Sequence, residues 1–186
     1  GLLPGSRTSE INRLLPEILQ AAKIIAQKIP DAQYILPLAD TLEEKAVSSM
    51  IASSGLNVKI ISGQTYDVIG CCDVAIVTSG TATLETGLLG VPMIIIYKVS
   101  RFSELIGRMI IKPQHIGLVN IIAGKAIVPE LIQWDATAGR IAAEALAILL
   151  NEEKRQAIIR ELNDIRARLG EPGAARRAAQ IACDMI

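Results

Sequence analysis

The sequence predicts an α/β domain, a doubly wound parallel sheet followed by a helical C-terminal extension. Three observations predict it. Short apolar segments alternate with helical ones through the first hundred residues. Those short segments are β-branched and lack polar alternation, the mark of strands covered on both faces. After Ser100 the strand signals thin out and helical stripes dominate. Alternation of this kind winds a parallel sheet with helices on both sides, and its ligands sit outside the carboxyl ends of the strands.

The elements follow in order. Gly1 to Leu3 reads as a strand and Pro4-Gly5-Ser6-Arg7 as the turn after it. Ile11, Leu14, Leu15, Ile18, Ala22 and Ile25 recur at helical spacing. Pro16 falls inside that stripe, so the regular helix is expected to start near Asn12, with the proline in its first turn. Gln33 to Leu38 is a strand, and Thr41 to Ser54 a helix closed by Gly55. Val58 to Ile61, Val74 to Val77 and Met93 to Tyr97 are strands. Thr65 to Cys72 and Thr81 to Leu89 are the helices between them. Phe102, Leu105, Ile106, Met109 and Ile110 share one apolar face. Asp135 is placed to cap a helix that turns Ile141, Ala145, Ile148 and Leu149 inward. Asn151 is placed to cap the next, with Ile158, Leu162, Ile165 and Leu169 on its stripe and Gly170 at its end. Pro172-Gly173 precedes a last helix, Ala174 to Met185.

Composition narrows the function classes. Apolar residues make up 51% and charged residues 20% of 186, which suits one globular domain. Lys plus Arg equals Asp plus Glu at 19 each, so the basic surplus of a nucleic-acid binder is missing. Aromatics are only 3%, too few for a base-stacking platform. Cys71, Cys72 and Cys183 form no CxxC pair or Cys/His metal spacing and are expected to be small buried thiols in a reducing, cytoplasmic setting. The longest apolar run, near Val91 to Tyr97, falls far short of the ~20 residues of a membrane span. The chain enters directly on a strand and is expected to be one domain, 1–186, of a longer protein, with 151–186 as its terminal helices.

Four segments carry polar chemistry at strand ends. Thr78-Ser79-Gly80-Thr81-Ala82-Thr83-Leu84-Glu85 follows a strand and opens a helix. Backbone N–H groups and the dipole at such a helix start suit a phosphate. Gly80 allows close approach, Ser79, Thr81 and Thr83 offer hydroxyls, and Glu85, one turn on, is placed to accept from a ribose diol. The other reading is an ordinary capped helix. In Pro4-Gly5-Ser6-Arg7, Arg7 offers a planar fork to phosphate or carboxylate, or stands as a surface cation. Lys98, after Tyr97, either neutralises a phosphate or anchors a loop. Asn120 and Gln133 are amides in apolar surroundings, so each ties down a loop or contacts a ligand. The single histidine, His115, stands at no triad or metal spacing. No dinucleotide glycine fingerprint, Walker A sequence or HExxH occurs.

The stretches LLPGSRTSEINRLLP, VTSGTATLETGLLGVPMIIIYKVS, HIGLVNIIAGKAIVPELIQ and GAARRAA occur in that order. Together they resemble the C-terminal half of the lipid-A-disaccharide synthase family, over nearly the whole chain. The resemblance implies a Rossmann-like half of a two-domain GT-B glycosyltransferase. The family joins UDP-2,3-diacylglucosamine to 2,3-diacylglucosamine 1-phosphate, with UDP leaving and no metal or other cofactor required. It implies that Gly5, Ser6 and Arg7 reach a phosphate, with Arg7 assisting UDP departure. It also implies that Ser79, Gly80, Thr81, Ala82 and Thr83 hold the diphosphate, that Glu85 holds the ribose, and that Lys98 and Asn120 line the cleft. The general base is expected in an N-terminal domain, the partner of this one. The family's Leu-Pro-Asn is Leu118-Val119-Asn120 here. Other readings are a different GT-B UDP-sugar transferase or epimerase, or a non-catalytic nucleotide-binding module. Monomer and homodimer both remain open. Because the substrates are lipids, Arg101, Arg108 and Lys112 around an apolar helical face in Lys98 to Lys112 suggest peripheral contact with the inner membrane. The alternative is that this face packs on the sheet.

Overall fold

The computed structural model describes residues 1–98, 114–170 and 173–185. Strands β1 (Leu2–Leu3), β2 (Tyr34–Leu38), β3 (Val58–Ser62), β4 (Ala75–Thr78), β5 (Met93–Tyr97) and β6 (Glu130–Ile132) are all parallel to their partners. Hydrogen bonds join β1-β4-β5-β6 into one sheet and β2-β3 into a second ladder. β1 and β2 lie side by side. β1 is only two residues long and Pro37 in β2 has no N–H to give, so no ladder closes the gap. The spatial order is therefore 3-2-1-4-5-6, with the switch point at β1, between β2 and β4.

The helices are α1 (Thr8–Lys28), α2 (Glu44–Ser54), α3 (Thr65–Gly70), α4 (Thr81–Leu88), α5 (Leu118–Ala123), α6 (Ala138–Leu149), α7 (Glu152–Leu169) and α8 (Ala174–Asp184). α1 packs on α6 and α2 along one face of the sheet, and α4 packs on α5 and α7. This sandwich buries every residue of β4 and Met93 to Ile96 of β5, which explains why their sequences show no alternation. Ile94, Ile95 and Ile96 are fully enclosed, and each such side chain contributes about 1.5–3 kcal/mol relative to exposure.

Four local expectations are corrected. α1 begins at Thr8, so Pro16 sits in its interior and not in its first turn. The ring lies on the exposed side and leaves the Asn12 carbonyl without its helical donor. Burial of Leu14, Leu15, Ile18 and Leu19 around it holds the helix through that fault. Asp135 does not cap α6. It lies in a 3-10 turn (Gln133–Asp135) and pairs with Arg140, while Thr137 occupies the cap position. α2 starts at Glu44, three residues later than Thr41. Asn151 does cap α7, its Oδ1 accepting from the Lys154 N–H at 2.9 Å. Gly55 and Gly170 close their helices with φ of 72° and 75°. The cysteines are not buried as expected: Cys71 and Cys183 are exposed and Cys72 is partly exposed. The apolar face at Phe102 to Ile110, with Arg101, Arg108 and Lys112, lies outside the described residues.

Candidate donor site at the carboxyl edge

β1 and β4 pair in parallel with Leu3 opposite Val77. The turns that leave their carboxyl ends, Pro4 to Arg7 and Thr78 to Gly80, therefore emerge side by side at the switch point. This is the crevice in which open α/β sheets bind ligands.

Helices α1 to α6 each follow a strand of the parallel sheet and so begin at this edge, and their first-turn N–H groups have no intrahelical partner. At three of them a carboxylate of the chain accepts from an N–H at or just before the helix start. Glu10 Oε2 accepts from the N–H groups of Ser6 at 3.1 Å and Arg7 at 3.3 Å, at the start of α1. Glu130 Oε2 accepts from Ile116 N–H at 2.9 Å and its Oε1 from Gly117 N–H at 3.0 Å, at the start of α5. Glu17 Oε2 accepts from Ala138 N–H at 3.0 Å, at the start of α6. α2 and α3 each carry an acid in the first turn, Glu44 and Asp67, whereas α4 has no side-chain cap and no acidic residue there. A Cβ built on Gly80 would meet nothing within 4 Å. Gly80 itself is extended, with φ 165°, so its contribution is open space above the helix end.

The anticipated residues divide into three groups. Gly80 and Thr81 are exposed at the α4 start, with Ala82 and Ser79 partly exposed beside them. Glu85 is half-buried one turn on, and its carboxylate has no partner among the described residues. Across the crevice Ser6 and Arg7 are exposed, and Gly5 turns the chain with φ 111°. Arg7 rests on Glu10 at 3.1 Å, with its side chain 79% exposed.

The remaining anticipated residues are supports. Thr83 is fully buried. Its hydroxyl donates to Gly80 O at 2.7 Å and accepts from Leu118 N–H at 3.3 Å. Asn120 is also fully buried. Its amide donates to Val128 O at 2.9 Å and Glu130 Oε1 at 2.7 Å, and accepts from the N–H groups of Ile127 and Val128. Asn120 therefore ties the 127–128 loop and does not line the cleft, since a saturated buried amide has nothing to offer a ligand. Lys98 pairs with Glu17 at 2.8 Å, and Arg13 donates to its carbonyl at 3.2 Å. It braces the end of β5 against α1 and α6. Gln133 takes φ 54° beyond β6, the one positive φ outside glycine among the described residues. The imidazole Nε2 of His115 and the Thr78 hydroxyl are buried without a hydrogen-bond partner among the described residues.

The carboxylates of Glu10, Glu17 and Glu130 were not singled out from sequence. Glu10 carries a readable signal, an acid three residues beyond the helix-entry residue, as in a capping box. Glu17 and Glu130 act across 121 and 13–14 positions of chain, where no local spacing announces them.

The model of one protein family, described as lipid-A-disaccharide synthetase, matches residues 1–185. The chain belongs to the lipid-A-disaccharide synthetase family. Lipid-A-disaccharide synthase of Syntrophus aciditrophicus (strain SB) is 54% identical over 186 residues, which is 100% of this chain and 49% of that protein. The namesake enzyme of Nitrosococcus oceani is 46% identical over 186 residues, 48% of its own length. The chain spans about half the length of these family members. Among solved structures, the glycotransferase of kitacinnamycin matches with a TM-score of 0.57 at 17% identity, over 97% of this chain and 41% of that one. UDP-GlcNAc 2-epimerase from Neisseria meningitidis, bound to UDP-GlcNAc, matches with 0.51 at 16%, over 78% and 35%. At these identities the likeness is one of fold, that of a Rossmann-like parallel α/β domain. No helix among the described residues is long and apolar enough to cross a membrane.

Proposed function

We propose that this domain is the donor-holding half of a lipid-A-disaccharide synthase. In this reading it binds the UDP portion of UDP-2,3-diacylglucosamine for transfer to 2,3-diacylglucosamine 1-phosphate. The observation that carries the reading is the uncapped start of α4. Among the helices that begin at this edge it alone has neither an acid in its first turn nor a carboxylate bonded at its start among the described residues, and the turn that carries Arg7 lies beside it.

The chemistry follows from that placement. The diphosphate lies on the N–H groups of Gly80, Thr81 and Ala82, with the Thr81 hydroxyl beside it, while the Ser79 hydroxyl is already given to Ile116 O and supports the turn. Glu85 accepts from the ribose diol. The 6-hydroxyl of the acceptor attacks the anomeric carbon, the bond from that carbon to the phosphate oxygen breaks, and UDP leaves with the electron pair. Negative charge grows on the diphosphate as that bond lengthens. The positive end of α4 is fixed there beforehand and the Arg7 guanidinium swings from Glu10 to join it, which is electrostatic stabilisation of the leaving group. The hydroxyl proton passes to a base outside this domain, in the N-terminal half that completes the cleft.

Calorimetric titration of the full-length enzyme with UDP, with ADP as control, tests the reading. UDP is expected to bind more tightly than ADP. Glu85→Ala is expected to weaken UDP by about 10–100-fold, the loss of bonds to one charged group at about 1.5–3 kcal/mol. Unchanged UDP binding in Glu85→Ala would remove the site from the α4 turn.

A further inference from the structure

The carboxylate of Glu130 has more partners than any strand residue needs. It is the first residue of β6, held in register opposite Ile95, which is fully buried. Three donors converge on it: Ile116 N–H at 2.9 Å, Gly117 N–H at 3.0 Å and the Asn120 amide at 2.7 Å. Through them it fixes the segment 116–120 to the edge strand β6, beside the buried β5. That segment is fixed on its other side to the α4 turn. Ser79 Oγ donates to Ile116 O at 3.1 Å, and Leu118 N–H donates to Thr83 Oγ1 at 3.3 Å. Glu130 therefore reaches Ser79 and Thr83 through a single intervening turn, with a hydrogen bond at every step.

The packing leaves that turn little freedom. A Cβ on Gly117 would run into Ile95 Cδ1 and stand 3.2 Å from Glu130 Oε1. The turn lies directly on the Ile95 side chain of β5, so its height is set by that side chain and by the carboxylate beside it. A carboxylate is the group this position requires. It accepts through both oxygens and has no proton to place against the three donors that surround it.

We propose that Glu130 is a positioning residue for the donor site, acting through Ile116 to Leu118 to hold Ser79 and Thr83, and with them the first turn of α4, at the height that receives the diphosphate. The inference rests on the reading that the α4 start holds UDP. It assigns to the acid at the head of β6 a part in that binding without contact with the ligand.

The test uses the full-length enzyme and the variants Glu130→Gln and Glu130→Asp. Glu130→Gln keeps the shape but turns an amide donor against the Ile116 or Gly117 N–H. It is expected to raise the UDP dissociation constant about ten-fold, and the KM for the UDP-sugar with it, while kcat moves by less than about three-fold. Glu130→Asp keeps the charge on a shorter stem and is expected to show an intermediate rise, which guards against a glutamine variant that does not fold. A cycle with Ser79→Ala supplies a readout that mere destabilisation would not move. If Glu130 acts through the 116–118 turn, Ser79→Ala adds little to the loss already present in Glu130→Gln, whereas independent effects would multiply. A lowered melting temperature with UDP affinity and KM unchanged, or strictly multiplicative effects, would overturn the proposal. Failure of the underlying reading is separate: there Glu85→Ala binds UDP as the unaltered enzyme does. If Glu85→Ala loses UDP and Glu130→Gln does not, the positioning role alone is lost.

Discussion

α1 and α4 start a few residues beyond neighbouring strands of one sheet, at the same edge, and they treat the same electrostatic problem differently. Each presents unpaired N–H groups and a positive dipole end. α1 brings its own acid: Glu10 folds back onto Ser6 and Arg7 N–H and holds the Arg7 side chain as well. α4 brings none, and above Gly80 there is room. The first has an acid of its own at the helix entry. The second has none. A motif of strand, glycine turn and helix is therefore not yet a phosphate site, because the acid that satisfies it can come from the same chain.

The comparison can be broken most severely at Gly80. Its φ of 165° is one any residue adopts, so Gly80→Leu is expected to fold with its melting temperature within about 2 °C of the original, as surface substitutions usually do. Its side chain would occupy the space over α4 and weaken UDP by more than about 100-fold, or ~2.7 kcal/mol. Titration with UDP beside a thermal melt checks both halves of that statement. The opposite pattern is expected at Gly5. There φ is 111° and a Cβ would collide with the Glu10 carboxylate. Gly5→Ala should cost about 2–3 kcal/mol of stability, visible in denaturant unfolding, from strain and from displacement of the α1 cap. Arg7→Ala is the smallest perturbation of the fold. The Arg7–Glu10 pair is exposed on the arginine side, so its loss should change stability by less than about 0.5 kcal/mol. UDP affinity should nonetheless fall about ten-fold if the guanidinium leaves Glu10 for the diphosphate. Equal and negligible effects on both quantities would return Arg7 to the role of a surface cation.

The sheet was legible because its strands are short, β-branched and buried on both faces. The start of α1 was misplaced because Pro16 was read as a first-turn proline. A long helix with a buried stripe of leucines can carry an interior proline on its exposed side. Asp135 was read as a cap from spacing alone, and the 3-10 turn that shifts the cap to Thr137 has no plain signature. At the site, the two glycine turns were readable, since their residues are local in sequence. What sequence does not display is which hydroxyls and amides are already engaged. Thr83 and Asn120 look like ligand contacts until Leu118, Val128 and Glu130 are seen to satisfy them. For Asn120 the physical rule that buried amides are bonded pointed to the loop tie, while the family resemblance pointed to the cleft.

The glycines at Gly87 and Gly117 give the flank of the α4 turn a directional stiffness. A Cβ at Gly87 would come within 2.6 Å of Val119 Cγ1, so α4 and α5 already touch at the limit of close approach. Repulsion at that separation rises far more steeply than hydrogen bonds weaken on stretching. The joint therefore behaves as a mechanical end-stop: it yields outward, against the Ser79 and Thr83 bonds, and scarcely at all inward. That resistance lies where the Gly87 end of α4 meets the Val119 side chain, away from Gly80, in residues that line no part of the crevice.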